Sequence, residues 1–571
     1  MIDQNIRKEI KDFLGPQVIR WMFTGIIAGI SVSAVELAIA YGIQAFLLAL
    51  GLMKENVIKL PTWIPVQSLK AVLIFIVALA ALRSILYFFQ VYVPNATYNA
   101  FGFRQRQRLV EWSFSSAIVN TPFVSTLYTE RVTLSSSFIN GVQYIIIYGC
   151  TSILITAALF FLSPVLSLVA FCLMAVFLMP IYFFNTRIRN ESVKFAESWE
   201  QANRRLLVGL KNIFLIRIYG AEQKEVEKSK SSLAVYSKSH TVIYKLGAFK
   251  FALPQFVGVL IICLTVYIGQ NYFAVEAGIL VSFLYLFFRW VQNLSFIYLN
   301  AGQVVHYRPQ INELFAWHLN QFAPYRDAQA PELNGSGAEL KKFKSPIGWN
   351  AKGLNFSYTG REAVLRNLSF TIEPSSIVLI KGPSGSGKTT LIGLLLSQLP
   401  TGLNLNVFEK GQIPKDMEAA KNYLMTSVGY AGPEPFVIEG TVRENLLYAN
   451  HETVSEAAIE DALKIADCDF LNQVTDRLDF KMTEQGQGLS TGQKQRISLA
   501  RAILRNPKAL FLDEALSNVD QETRHRILTN LFQVKERFTL IFISHFEFES
   551  LKPDLEISFQ GSGPVQVTIR N

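Results

Sequence analysis

The chain has 571 residues, half of them apolar, 12% aromatic and only 17% charged, with a formal net charge of +10. Soluble domains carry roughly a quarter charged residues, so this balance excludes a disordered or collagen-like chain and argues against a purely soluble one. The charge is also unevenly spread: residues 1–345 hold 31 Lys and Arg against 18 Asp and Glu, whereas residues 346–571 hold 23 against 26. A basic excess confined to the apolar part points to a membrane and away from nucleic acid.

The N-terminus sets Arg7, Lys8 and Lys11 among Asp3, Glu9 and Asp12, without the short apolar core and cleavage site of a removable signal peptide. Apolar runs then follow at Val18–Leu50, Leu69–Val93, Gly141–Leu162, Val165–Phe184, Leu246–Ile268 and Phe273–Leu299. A span needs about 20 such residues, so six transmembrane helices are expected. No charge occurs from Val132 to Thr186, and Ser163-Pro164 is the natural turn inside that stretch. Basic residues gather before Arg20 and in the 94–140 and 184–245 connections, while the opposite loops hold only Lys54 and Lys59, which predicts cytoplasmic termini. Glu191 to Lys230 reads as long helices leaving the bilayer.

A few charges fall inside the spans. Glu36 and Arg83 lie at similar depth and suit a structural pair; alternatively Arg83 or Arg289 faces a polar pathway for an anionic substrate. Lys250 is expected to snorkel to the cytoplasmic interface. Cys150, Cys172 and Cys263 sit in apolar runs and Cys468 stands alone, with no metal-ligand spacing and no disulfide framework.

Residues 1–322 therefore read as a membrane domain, 323–345, with Asn334-Gly335-Ser336-Gly337, as a flexible linker, and 346–571 as an α/β domain of short strands alternating with helices. In the last, strand Ile377–Ile380 runs into Gly382-Pro383-Ser384-Gly385-Ser386-Gly387-Lys388-Thr389-Thr390 and an apolar helix. This is the phosphate-binding GxxxxGK[ST] loop in its required context: backbone N–H groups hold phosphate oxygens, Lys388 reaches the β- and γ-phosphates of ATP, and Thr389 ligates Mg²⁺. A second strand, Ala509–Leu512, ends in Asp513 and Glu514. Asp513 suits the Mg²⁺ shell and Glu514 the polarisation of a water attacking the γ-phosphate. A third segment, Ser490-Thr491-Gly492-Gln493, opens a helix and makes another anion seat.

With its flanks Glu484-Gln485-Gly486 and Gln495-Arg496, that segment resembles the LSGGQ signature of ABC transporters, Thr491 replacing the first Gly. Six spans upstream resemble the exporter type, and the fold implied is an all-α six-helix transmembrane domain followed by an α/β P-loop ATPase domain of ABC type. The resemblance implies that Tyr358 stacks on adenine, that the signature of one chain faces the γ-phosphate held by its partner, that Asp520 crosses to the partner site, and that His545 contacts the γ-phosphate. It also implies a second half-transporter as partner, a homodimer being favoured, in a bacterial inner membrane.

One position departs from the pattern. Pro433 stands where the family has a Gln that touches Mg²⁺ and the attacking water, which leaves room for slow hydrolysis or for an ATP-gated regulator. Span one, with Glu36 and then Gln44-Ala45-Phe46, loosely resembles flippases of lipid-linked oligosaccharides, although Ala45 replaces their Pro. The favoured substrate is accordingly a lipid-linked or glycolipid amphiphile, with peptide or drug export as alternatives; the lack of an N-terminal peptidase domain argues against leader cleavage. Residues 401–420 follow no familiar pattern.

Overall fold

Apolar backbone in lipid must satisfy its own hydrogen bonds, and the first part of the chain is helical throughout its described elements. The computed structural model describes residues 4–51, 64, 68–115, 121–273, 275, 277–329, 342–358, 362–399, 404–412, 414–448, 450, 453–473, 476–483, 488–544, 552–560 and 566–569. Two units separate along the chain, Met1–Asn334 and Gly335–Asn571.

In the first unit a short helix α1 (Gln4–Leu14) precedes α2 (Pro16–Ala49), α3 (Leu69–Ser115), α4 (Thr121–Leu162), α5 (Pro164–Lys211), α6 (Glu222–Tyr272) and α7 (Ala277–Trp317). Among the described residues, five of these carry a stretch long and apolar enough to cross a membrane; in α5 only Pro164–Met174 is counted, because the side chains that follow lie outside the description. Helices α3, α5 and α6 have 47, 48 and 51 residues. At 1.5 Å per residue each is ~70 Å long, more than twice a hydrocarbon core of ~30 Å, so they continue well beyond the bilayer. The turn between α4 and α5 is Ser163 alone: its side chain accepts from the Leu166 N–H and Pro164 occupies the first helical position. Prolines also lie inside α3, at Pro94, and α7, at Pro309.

Two charge clusters tie these helices together. Within the spans, Arg83 Nε donates to Glu36 Oε1 at 2.5 Å, Arg289 Nε lies 3.4 Å from Glu36 Oε2, and the Tyr285 hydroxyl donates to the same carboxylate. The Glu36–Arg83 pair is thus present, but Arg289 joins it, linking α2, α3 and α7. At the other end of α3, Asp12 of α1 accepts from Arg108 (2.7 Å) and Arg326 (2.6 Å), while Glu9 accepts from Arg326 (3.0 Å) and lies 3.2 Å from the buried His318 Nε2. Gly15 makes the joint between α1 and α2: its φ is +83°, and a Cβ there would meet the Arg104 side chain at 2.6 Å.

Burial alone would raise the Asp12 carboxyl, but the Arg108 and Arg326 guanidiniums outweigh it and hold the group below the usual carboxylate range. A depressed folded value means stabilisation that is complete above the ordinary range and is lost as pH falls through the folded value. Thermal unfolding followed from about pH 7 down to about pH 3 should therefore show a fall in wild type that is flattened in Asp12→Asn.

Two expectations are corrected. Lys250 does not reach outward: it is 1% exposed, packed between α6 and α7 with Nζ near Gly302, because α7 covers the side chain before it can extend. Residues 323–329, expected to begin the linker, continue α7 through a π turn (His318–Phe322) as a helix, Ala323–Gln329, held by the Arg326 ion pairs.

The second unit has strands β1 (Ile347–Ser357), β2 (Ala363–Ile372), β3 (Ile377–Lys381), β4 (Leu405–Glu409), β5 (Lys415–Asp416), β6 (Val428–Ala431), β7 (Gly440–Thr441), β8 (Lys481–Met482), β9 (Ala509–Asp513), β10 (Thr539–Ile543), β11 (Leu555–Ser558) and β12 (Gln566–Ile569). The central sheet runs β12-β11-β3-β10-β9-β6 and is parallel except for β12. Its β3, β9 and β10 strands are near-continuous buried runs, as a sheet covered on both faces requires. An antiparallel sheet, β2-β1-β4-β5, covers one face, with Trp349 buried and its Nε1–H donating to Leu395 O. Within 401–420, Leu405–Glu409 belongs here: as β4 it pairs with Ile347–Ala351, and the Glu409 carboxylate accepts from the N–H groups of Lys344 and Ser345.

Candidate functional site

Register places the chemistry on one edge. Ile543 of β10 stands beside Asp513 of β9 and Ile380 of β3, and Ala431 of β6 stands beside Leu512. The loop after β3, the acids ending β9, Ser544 and the loop after β6 therefore emerge together at the carboxyl ends of parallel strands, where open α/β sheets bind ligands.

The loop after β3 is shaped for a phosphate. Gly382 has φ +146° and Gly387 φ +105°; a Cβ on the first would meet Phe559 and on the second Val364 Cγ1, both under 3 Å, so side chains are excluded from the loop's inner wall. Gly385 has φ +78°, and Pro383, Ser384 and Gly385 are exposed. Lys388 is buried and folds back, its Nζ donating to Gly382 O (2.8 Å) and Pro383 O (2.9 Å). Helix α8 (Lys388–Leu395) starts at this point, with its free N–H groups facing the loop. Ser386 Oγ is buried without a partner among the described residues, a donor left for an anion to accept. The Tyr358 hydroxyl lies 3.2 Å from Thr390 Oγ1, which sets its ring beside the start of α8.

Asp513 is buried, and its carboxyl is pushed up by that burial and by the neighbouring Glu514; hydrogen bonds from Tyr430 and Thr389 and the Lys388 charge pull it back. The Thr389 hydroxyl and Asp513 together form a hard oxygen pair that fits Mg²⁺. Glu514 follows with φ +50° and its N–H on Ile543 O. A glutamate in the left-handed region costs about 1 kcal/mol or more, so the surrounding structure over-determines its direction.

Ser490 caps helix α9 (Thr491–Leu504): Gln493 N–H donates to Ser490 Oγ (3.2 Å) and Ser490 N–H to Gln493 Oε1 (2.7 Å). Gly492 packs on the backbone at Asn518 O, where a Cβ would approach to 2.5 Å, while Thr491 is exposed. Asp520 caps the next helix, α10 (Gln521–Gln533), accepting from the Thr523 N–H at 2.9 Å. His545 and residues 484–487 lie outside the described residues.

Sequence reasoning passed over Tyr430 and named Gln495 only as a flank of the signature segment. Gln495, 1% exposed, donates to Pro433 O (3.0 Å) and Ser517 Oγ (3.2 Å) and accepts from the Asn518 N–H (3.1 Å), joining the loop after β6, helix α9 and the segment after Glu514. Tyr430, at the end of β6, donates its hydroxyl to Asp513 Oδ2 at 3.4 Å. Burial and the Asp513 charge push that hydroxyl up to about 12, so it stays protonated and acts as the donor. An aromatic with a polar tip closing an edge strand was the available signal for Tyr430; for Gln495 the motif flank was the signal, while its role as a buried tie depends on contacts distant in sequence.

Comparison with known proteins agrees with this architecture. Residues 22–293 match the family model of the ABC transporter transmembrane region and residues 365–517 that of the ABC transporter. The chain is 27% identical over 432 residues to an export ATP-binding/permease protein of Rickettsia bellii, covering 74% of this chain and 72% of that one. It is 26% identical over 434 residues to an ABC transporter ATP-binding protein of Bacillus subtilis, covering 75% and 71%. A multidrug resistance ABC transporter of Lactococcus lactis is 33% identical over 198 residues, a third of each chain. With a helical membrane region fused to a phosphate-loop ATPase unit, the chain belongs to the ABC transporters, as an exporter-type half-transporter that couples ATP hydrolysis to transport.

Proposed function

We propose that this chain, as a homodimer, uses MgATP to move an amphiphile with an anionic head, of the lipid-linked or glycolipid class, across a bacterial inner membrane with both termini cytoplasmic. The ATP site is read as follows. Tyr358 stacks on the adenine, and the backbone of Gly382–Thr390 with Lys388 holds the β- and γ-phosphates. The Thr389 hydroxyl and Asp513 would hold Mg²⁺, which would supply neutralisation of the phosphate charge. Glu514 polarises a water for in-line attack on the γ-phosphorus; the P–O bond to the bridging oxygen breaks and ADP and phosphate leave. His545 contacts the γ-phosphate. Ser490, Thr491, Gly492 and Gln493 of one chain face the nucleotide on the other, and Asp520 crosses the interface, which is why two copies are needed. The short helices Thr121–Thr126 and Ile213–Ile218 carry the motion to the spans.

The substrate reading rests on one observation: a half-open cavity of about 130 Å³ in the first unit, lined by Glu36, Arg83, Gln90, Arg289, Gln292 and Asn293 among others. Two guanidiniums against one carboxylate leave a net positive charge at membrane depth, which favours an anionic head group. The relatives' names include multidrug and antigen peptide transporters, so export of drugs or peptides is the second reading.

ATPase rates in nanodiscs decide between them, comparing native-cell lipid extract with a defined phospholipid and using Glu514→Gln as the blank. Turnover raised by the extract is expected. Turnover that ignores the extract overturns the lipid substrate, and none above the blank overturns the pump.

A further inference from the structure

The loop after β6 runs along the site that Asp513 occupies, yet its backbone and side chains offer little to that carboxylate. Pro433 has neither an N–H nor a polar side chain, and Glu434 is exposed and carries the same charge as Asp513. Tyr430 is the residue that bridges the gap. Its hydroxyl reaches Asp513 Oδ2, and the loop is fitted to its ring: a Cβ on Gly432 would stand 3.0 Å from the hydroxyl and 3.1 Å from the ring edge. The loop is also pinned from the other side, since Gln495 donates to Pro433 O and Arg501 to Phe436 O at 2.7 Å. The Tyr430 ring, exposed on β6, thus lies between Gly432 and the Asp513 carboxylate, beside a loop fixed at two further points.

We infer that Tyr430 is a positioning residue of the nucleotide site: its hydroxyl fixes the plane of the Asp513 carboxylate and so sets how strongly Mg²⁺ contributes to ATP binding. The inference rests on the reading of Asp513 as a group in the Mg²⁺ shell. The Asp513 carboxylate is held from two elements, by the Thr389 hydroxyl of α8 and the Tyr430 hydroxyl of β6. At 3.4 Å the Tyr430 contact is longer than a relaxed O–H···O bond. Tyr430 thereby links the Mg²⁺ side of the site to the loop after β6 without a side chain from position 433.

The experiment uses the full chain in nanodiscs and a fluorescent ATP analogue, titrated with excess EDTA and then across a Mg²⁺ series. In Tyr430→Phe the ring and its packing remain, so affinity in EDTA should equal wild type, while the Mg²⁺ concentration for half-maximal tightening should rise about three- to tenfold, the size of one lost hydrogen bond of ordinary strength. Gly432→Ala, which keeps every hydroxyl but pushes the ring from its seat, should raise the Mg²⁺ requirement in the same direction, and it decides the matter if Tyr430→Phe loses binding in EDTA. Mg²⁺ midpoints equal to wild type in the variant that retains binding overturn the assignment of Tyr430 alone. Failure of the wild-type protein to bind the analogue in either condition overturns the nucleotide-site reading on which it rests.

Discussion

Glu514→Gln should lose ATP turnover by a factor of about 10² or more while still binding the nucleotide, since removal of a positioned general base typically costs that much. The substitution keeps shape and hydrogen-bonding capacity but cannot take a proton from water. The left-handed backbone at this residue sharpens the expectation. Strain there is repaid only if the side chain must point one way, so a shorter carboxylate, Glu514→Asp, should rescue little. The measurement is phosphate release at saturating ATP, set beside nucleotide affinity in the same nanodiscs. Comparable turnover in Glu514→Gln and wild type would show that another group activates the water.

Glu36→Gln should damage the fold more than any other single change in the spans. Glu36 is 3% exposed and faces two guanidiniums and the Tyr285 hydroxyl. Removing its charge leaves Arg83 and Arg289 opposed at membrane depth, a loss of about 3–5 kcal/mol for one partner of a buried ion pair. The expected result is a lowered melting temperature and poor recovery as a monodisperse protein by fluorescence-detected gel filtration. Glu36→Gln with Arg83→Gln should recover part of that loss, because one of the two orphaned charges is gone. An unaltered melting temperature in Glu36→Gln would mean that the two arginines already find water or other acceptors.

The spans were legible because lipid imposes one rule, about 20 apolar residues in a row, and five of the six expected runs lie on described helices that obey it. The Ser163-Pro164 turn was legible for a local reason as well: a cap and a proline at the first helical position need no tertiary partner. The phosphate loop and the acids after β9 could be read because spacing and flanking elements are all in sequence. What escaped was set by packing across long separations. Lys250 reads as a snorkelling residue until α7 is laid over it, and Arg289 joins Glu36 from about 250 residues away. The helix at 323–329 is proline- and alanine-rich at its start and looks like a linker; Arg326 holds it through Glu9 and Asp12, more than 300 residues earlier.

Pro94 and Pro309 give the two long helices a shared mechanical character. A proline cannot donate to the carbonyl four residues back, so α3 lacks that rung at Gln90 and α7 at Val305. On α3 the break falls between Arg83 and the Arg104–Arg108 pair; on α7 it falls between Arg289 and the His318–Arg326 pair. Each strut is therefore jointed between one ionic rivet and another, 11 residues after Arg83 on α3 and 20 residues after Arg289 on α7, so the two joints lie at different depths. Bending there breaks no backbone bond that was ever made, so the upper and lower rivets can stay fastened while the segments between them pivot.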